Sequence, residues 1–288
     1  MSSSVIPSGA SAVSAVSDFE RQRMRQPPRE LPLLRQRWSR LAFLHWAVDP
    51  MALASRLPPG LRLDVWDGRA YVGVVPFRID RARASFLPAI PGFSRFDELN
   101  LRTYVHHEGR DPGVFFFSLD ASSLSAVWGA RALYKLPYFP AAITVVPDGP
   151  LRTSFVCRRP PDGPHFACTY EASAAVDEAR VGTLEFFLAE RYLLYSWDGA
   201  RLRSARVWHR PYPLTKATLR DLDENLLATL GLGISAYDEP LVHHAAEVDV
   251  RLYAPRQIRA RVPPTPLRAR VNEYRIAPTL AAQGGDPT

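Results

Sequence analysis

Lysine is nearly missing from this chain: of 36 basic residues, only Lys135 and Lys216 are lysine and the rest are arginine. Cysteine is as scarce. Cys157 and Cys168 are too few for a disulfide framework and lack a metal-type spacing; they are expected on neighbouring strands as small buried hydrophobes. No apolar run reaches the roughly 18 residues that a membrane span needs. The N-terminus, MSSSVIPSGASAVSAVSDFERQRMR, has neither the basic start nor the continuous apolar core of a secretory signal. These absences predict a cytoplasmic protein with no membrane partner. G-x-S-x-G, P-loop, dinucleotide-fingerprint and H-E-x-x-H motifs are missing too, which disfavours serine hydrolysis, nucleotide hydrolysis and zinc chemistry. No cofactor and no metal are expected.

What is present is an ordinary globular composition: 47% hydrophobic, 11% aromatic and 23% charged residues in 288, enough chain to bury about three quarters of its unfolded surface. The formal charge of +7 is basic, and basic proteins attract nucleic acid. Here the arginines are dispersed and interleaved with acids and form no stripe or arm, so the expected partner is a small molecule and not a nucleic acid. Residues 1–35, rich in Ser, Ala, Pro and Arg, read as a flexible leader. Residues 36–255 read as one domain, and 256–288 as a Pro/Arg-rich tail. The oligomeric state stays open.

Within the domain, short strand-like runs recur between turn signals. Asp67-Gly68 joins 62–67 to 69–77, and Asp198-Gly199 joins 193–197 to 200–209. Further strands are expected at 96–107, 114–119, 141–146, 151–158, 165–172 and 245–253. Three helices are expected: 122–135 with Asp120 capping its start, 182–194, and 215–230 between Thr215 as N-cap and Gly231 as stop. Many antiparallel strands, few helices and no βαβ rhythm give a mainly β (α+β) class, barrel-like.

Strand 96–107, FDELNLRTYVHH, carries the most chemistry. Alternation puts Leu99, Leu101, Thr103 and Val105 on one face, and Glu98, Asn100, Arg102, Tyr104 and His106 on the other. The second face is either solvated or lines a polar cavity. Glu98 and Arg102 lie about 13 Å apart along the strand, too far to pair. Helix 122–135 reads as apolar nearly all round, which buries Arg131 and makes it costly without a carboxylate; Glu98 is the nearest in sequence. Pro137 then ends the helix. His45 reads more readily as a core histidine than as a base, and His209 as a residue near a barrel mouth. Glu190, Arg191 and Tyr192 read as surface positions on a helix. His243 and His244, on opposite faces of a strand, do not share a metal.

Seven segments carry a resemblance, in order and with compatible spacing over about 38–253: FLHWAV (43–48), LPPGLRLDVWDGRAYVGVVPF (57–77), FDELNLRTYV (96–105), GVFFFSLDAS (113–122), ARALYKLPYF (130–139), AERYLLYS (189–196) and VWHRPYPL (207–214). They resemble the YqjF-like family of uncharacterised proteins, which is related to acetoacetate decarboxylase. The resemblance implies a cone-shaped antiparallel β barrel around a small-molecule pocket. The decarboxylase motif GRE-x-x-G-[FY]-P-K-K supplies an imine-forming lysine and a second lysine that lowers its pKa. Laid on this chain, its arginine falls on Arg131, its proline on Pro137 and its two lysines on Tyr138 and Phe139. Lys135 stands at the glycine and Ala132 at the glutamate. The implied protein keeps the pocket and loses the imine. Its candidate catalytic residues are Glu98 as general acid/base, Tyr138 as phenolic donor and Arg131; Arg102, Asn100, Tyr104, His209 and His45 are candidates for holding substrate. The expected chemistry is a lyase, dehydratase, cyclase or isomerase step on a keto-acid or polyketide-like compound. A non-catalytic binding protein for a small apolar acid is the alternative.

Overall fold

The computed structural model describes residues 13–89, 94–173, 177–234 and 238–258. The expectations for residues 1–12 of the leader and 259–288 of the tail lie outside them. The strands are β1 (Val13–Ser14), β2 (Leu34–Val48), β3 (Arg62–Asp64), β4 (Ala70–Ala84), β5 (Phe96–His107), β6 (Arg110–Ala121), β7 (Tyr138–Pro140) and β8 (Ala142–Asp148). They continue with β9 (Arg152–Arg158), β10 (His165–Ala172), β11 (Asp177–Glu178), β12 (Leu193–Trp197), β13 (Leu202–His209), β14 (Pro213–Glu224), β15 (Leu241–Leu252) and β16 (Arg256–Gln257). The helices are α1 (Asp18–Met24), α2 (Pro50–Ala54), α3 (Leu124–Tyr134) and α4 (Leu184–Ala189). None of them is long and apolar enough to cross a membrane.

Pairing runs β13-β12-β6-β5-β4-β2-β15, and β15 pairs back onto β13. The ring is therefore closed, which removes the exposed edges an open sheet would carry. It is antiparallel except where β6 meets β12. Strands β8, β9, β10 and the far half of β14 form a second antiparallel sheet. This sheet covers the outer face of the ring: Leu44, Val72, Leu99 and Leu101 share one buried cluster with Phe155, Cys157, Phe166 and Cys168. Cys157 and Cys168 stand on paired strands, both buried and free. The inner face holds a second cluster including Phe43, Val75, Phe77, Phe116, Leu119 and Val250. Strand β5 is therefore covered on both sides, and the polar half of its alternation points into the barrel.

One-residue bulges bend the long strands. In β2 against β4, Ser39 pairs with Arg78 but Leu44 with Val74, an extra residue in β2 near Arg40, whose φ is 53°. In β6, Leu101 pairs with Ser118 but Arg102 with Phe116. The extra residue, Phe117, lets Phe116 and Leu119 both join the inner cluster although they are three apart; bulges re-aim side chains in this way. Helix α4 is buried on every side through Phe186, Phe187, Leu188 and Ala189 and fills part of the barrel interior.

Four expectations are corrected. Residues 215–230 are not a helix: most of them extend β14, pairing with β15 and β10, and only Leu227–Leu230 form a 3-10 turn. The helix expected at 182–194 is the shorter α4, capped by Thr183. Ser123, not Asp120, caps α3; Asp120 is buried and takes two bonds from Arg159, at 2.7 and 2.9 Å. Part of the leader is ordered: Val13–Ser14 pairs with β3, and α1 tucks Arg21 and Met24 against the barrel.

Candidate functional site

A cavity of about 70 Å³ lies inside the barrel. Strand β5 gives it Glu98, Asn100 and Arg102, spaced two apart as alternation requires. Strand β7 gives Tyr138: β7 runs parallel beside β6, with Tyr138 opposite Leu119 and Leu119 opposite Asn100, so three strands present one row. The chain leaving α4 gives Arg191, and the turn after β13 gives Tyr212. The remaining wall is apolar, with Phe43, Val75, Phe77, Phe116 and Leu194.

Glu98 is 3% exposed and accepts a 2.8 Å hydrogen bond from the Tyr138 hydroxyl. Burial pushes its carboxyl up to about 8, against the opposing bonds from Tyr138 and Asn100. Tyr138 is itself raised well above an ordinary phenol by burial and then by the charge of Glu98. The pair therefore holds its protons at neutral pH, and Glu98 is poised to exchange one slightly above it.

Two guanidinium groups line the same cavity. Arg102 is 7% exposed and is in no ion pair among the described residues; its plane lies over the rings of Phe43 and Tyr104, 5.6 and 5.8 Å from their centroids. Its Nε has no hydrogen-bond partner among the described residues, and neither do Asn100 Oδ1 and Arg191 Nη2. Arg191 is otherwise fixed. Its Nε donates to the Phe187 carbonyl and its Nη1 to Asp64 Oδ2, both at 2.7 Å. Asp64 is wholly buried and also accepts from Arg21 Nη2 at 2.6 Å and from the Val16 amide at 3.1 Å. The N-terminal segment thus reaches the cavity through one carboxylate.

Of the sequence candidates, Glu98, Tyr138, Arg102 and Asn100 come together on this cavity. Tyr104 lies behind it: its hydroxyl donates to the Leu188 carbonyl at 2.9 Å and meets His45 Nε2 at 2.6 Å. His45 is buried and held well below its ordinary pKa by burial and by Arg102. It packs Tyr104 rather than lining the cavity. His209 likewise sits behind Tyr212, stacked on Tyr192 and tilted against Tyr212, with ring centroids 4.6 and 4.3 Å away. Arg131 is displaced from its expected place. Helix α3 is not buried all round, since Leu124 and Trp128 are 62% and 68% exposed. Arg131 lies on the exposed side, where its Nε donates to the Tyr138 carbonyl at 2.7 Å, and it does not meet Glu98. Lys135 is exposed at the end of α3, and no lysine lines the cavity.

Arg191 is the residue sequence reasoning missed. Read as a surface position, it and its neighbours Glu190 and Tyr192 are all buried. The signal available was the run of large apolar residues just before it, EFFLAERYLLY, too hydrophobic for a surface helix. Among the described residues no group of three or more His, Cys, Asp or Glu is gathered to hold a metal.

A sequence model of the DUF2071 family, described as an uncharacterized conserved protein (COG2071), matches residues 35–249. The YqjF protein of Bacillus subtilis (strain 168), itself described as uncharacterized, is 36% identical over 226 residues, covering 78% of this chain and 92% of that one. Among solved structures, the enduracididine biosynthesis enzyme MppR complexed with pyruvate aligns with a TM-score of 0.58 at 16% identity, over 81% of this chain and 93% of its own. An acetoacetate decarboxylase-like enzyme from Sphingomonas wittichii RW1 gives 0.58 at 16%, over 79% and 93%. Acetoacetate decarboxylase from Legionella pneumophila gives 0.54 at 15%, over 86% and 98%. The fold is acetoacetate-decarboxylase-like and mainly β.

Proposed function

The chain belongs to the DUF2071 family of uncharacterized conserved proteins, and from that premise we propose that it is an enzyme acting on a short keto acid without forming an imine. The observation that carries this reading is Arg102: a buried cation, in no ion pair among the described residues, on the same cavity as the Glu98–Tyr138 pair. An unpaired buried charge is costly. A ligand carboxylate relieves that cost through charge-assisted hydrogen bonds. The cavity has room for on the order of five or six small groups, which suits a molecule the size of pyruvate. MppR, described with pyruvate and with its condensation product with imidazole 4-carboxaldehyde, supports the same substrate class.

In this mechanism Arg102 holds the carboxylate and the open N–H of Arg191 meets the keto oxygen. Glu98, as carboxylate, takes a proton from the carbon beside the carbonyl. The C–H electron pair moves into the new C=C bond, and the carbonyl pair moves onto oxygen as an enolate. Glu98, now protonated, returns the proton to carbon or to a departing hydroxyl. Tyr138 keeps the carboxyl oriented and is the nearest phenolic donor. Enolisation of this kind is the shared first step of isomerase, dehydratase and lyase reactions, and it needs no amine.

The test is exchange of the pyruvate methyl protons in D₂O, followed by proton NMR. The wild type should exchange them at a rate that climbs with pH through about 8, where Glu98 ionises, and then levels. Glu98→Gln should bind pyruvate and exchange nothing. Arg102→Gln should bind at least tenfold more weakly, from the loss of a charge-assisted bond of about 1.5–3 kcal/mol. Binding without exchange in the wild type would leave a binding protein in place of an enzyme. Borohydride with pyruvate should add no mass; an adduct at Lys135 would overturn the imine-free reading.

A further inference from the structure

We infer that the groove beside α3 takes the hydrocarbon tail of an acid whose head group sits at Arg102, so that the ligand is a medium-chain acid and not only a three-carbon one. This rests on the carboxylate reading above. The groove measures about 320 Å³, against about 70 Å³ for the barrel cavity. The two are neighbours with one wall in common: Gln36, Leu136, Tyr138 and Leu252 line both. Beyond that shared wall the groove is mostly apolar, with Ala84, Phe96, Ala126, Ala130 and Leu133, and with Arg83 and Ser125 as its polar exceptions. The small residues Ala126, Gly129 and Ala130 on one side of α3 leave the space open; a β-carbon added at Gly129 would touch nothing within 4 Å.

One buried polar atom in this wall lacks a partner. The Tyr134 hydroxyl is buried with no partner among the described residues, and Tyr134 lines the groove. An oxygen on the bound molecule satisfies it, as a purely aliphatic neighbour does not. The shared residues set the occupant. A molecule anchored at Arg102 and longer than the barrel cavity leaves it past Leu136 and Tyr138, directly into apolar surroundings. Ligand sites with an apolar body and a few placed polar groups have this composition.

Isothermal titration with straight-chain 2-keto acids of three to eight carbons decides the matter. The dissociation constant should fall about three- to fourfold per added methylene once the chain outgrows the barrel cavity. Ala130→Trp and, independently, Gly129→Leu fill the groove. Either should return the eight-carbon acid to the affinity of the three-carbon acid while leaving the latter unchanged, which also reports that the variant is folded. An affinity independent of chain length in the wild type, or a gain that survives both variants, overturns the inference and leaves the carboxylate reading standing. Failure of the three-carbon acid itself overturns both. A wild-type dimer that Ala130→Trp dissociates, with no chain-length dependence, assigns the groove to a second copy and overturns the inference.

Discussion

Burial raises the Glu98 carboxyl to about 8, so between roughly pH 4.5 and 8 the folded chain holds a proton that the unfolded chain has released. The native state binds the extra proton, and stability falls as pH rises through that window, by up to about 1.4 kcal/mol per pH unit. Glu98→Gln removes this dependence. Urea unfolding at a series of pH values should show a flatter slope for the variant and a higher midpoint than wild type at pH 8. In the proposed mechanism the base therefore opposes the fold at the pH where it would react. Its position was legible in the sequence because alternation along a strand is strict: Glu98, Asn100 and Arg102 had to share a face, and the covering sheet turned that face inward. Arg131 was not legible in the same way. Where a helical residue points depends on how the helix rolls against its neighbours, and α3 rolls Arg131 outward onto the Tyr138 carbonyl.

Elements whose local pattern fits two periods were decided by their partners. Residues 215–230 lie between a capping Thr215 and a stopping Gly231, which suits a helix, yet most of them pair with β10 and β15, and pairing overrode the local signals. The ordered part of the leader shows the same dependence on distant partners. Its composition reads as loose chain, but Asp64, 43 residues on from Arg21, supplies a buried acceptor. Removing that acceptor strands two guanidinium groups. Asp64→Asn should lower stability by about 3–5 kcal/mol, read as a lower urea midpoint. Arg21→Ala should cost less and should weaken pyruvate binding several-fold, because Arg191 then loses the neighbour that helps hold Asp64 in place. A variant that lost stability with unchanged affinity would make α1 a brace for the barrel with no bearing on the cavity.

At the scale of the whole molecule, the closed ring and its covering sheet enclose the candidate site, so a ligand bound there stabilises the native state alone. Pyruvate at a hundred times its dissociation constant should add about 2.7 kcal/mol and raise the melting temperature by roughly 5–10 °C. Arg102→Gln, binding tenfold more weakly, should keep no more than about half of that shift at the same concentration, about 1.4 kcal/mol. The barrel class was readable from strand density and the resemblance; the ring's closure through β13 and β15 was not, because it joins segments some forty residues apart. The bulge at Phe117 carries one more consequence. It works on the sheet as a frameshift works on a message: Phe116 is read in one frame of inside and outside, Leu119 in the other, and both come out inside. Deleting Phe117 would restore a single frame. Either Phe116 or Leu119 would then face the covering sheet, and the cavity would lose a wall without a single lining residue having been changed.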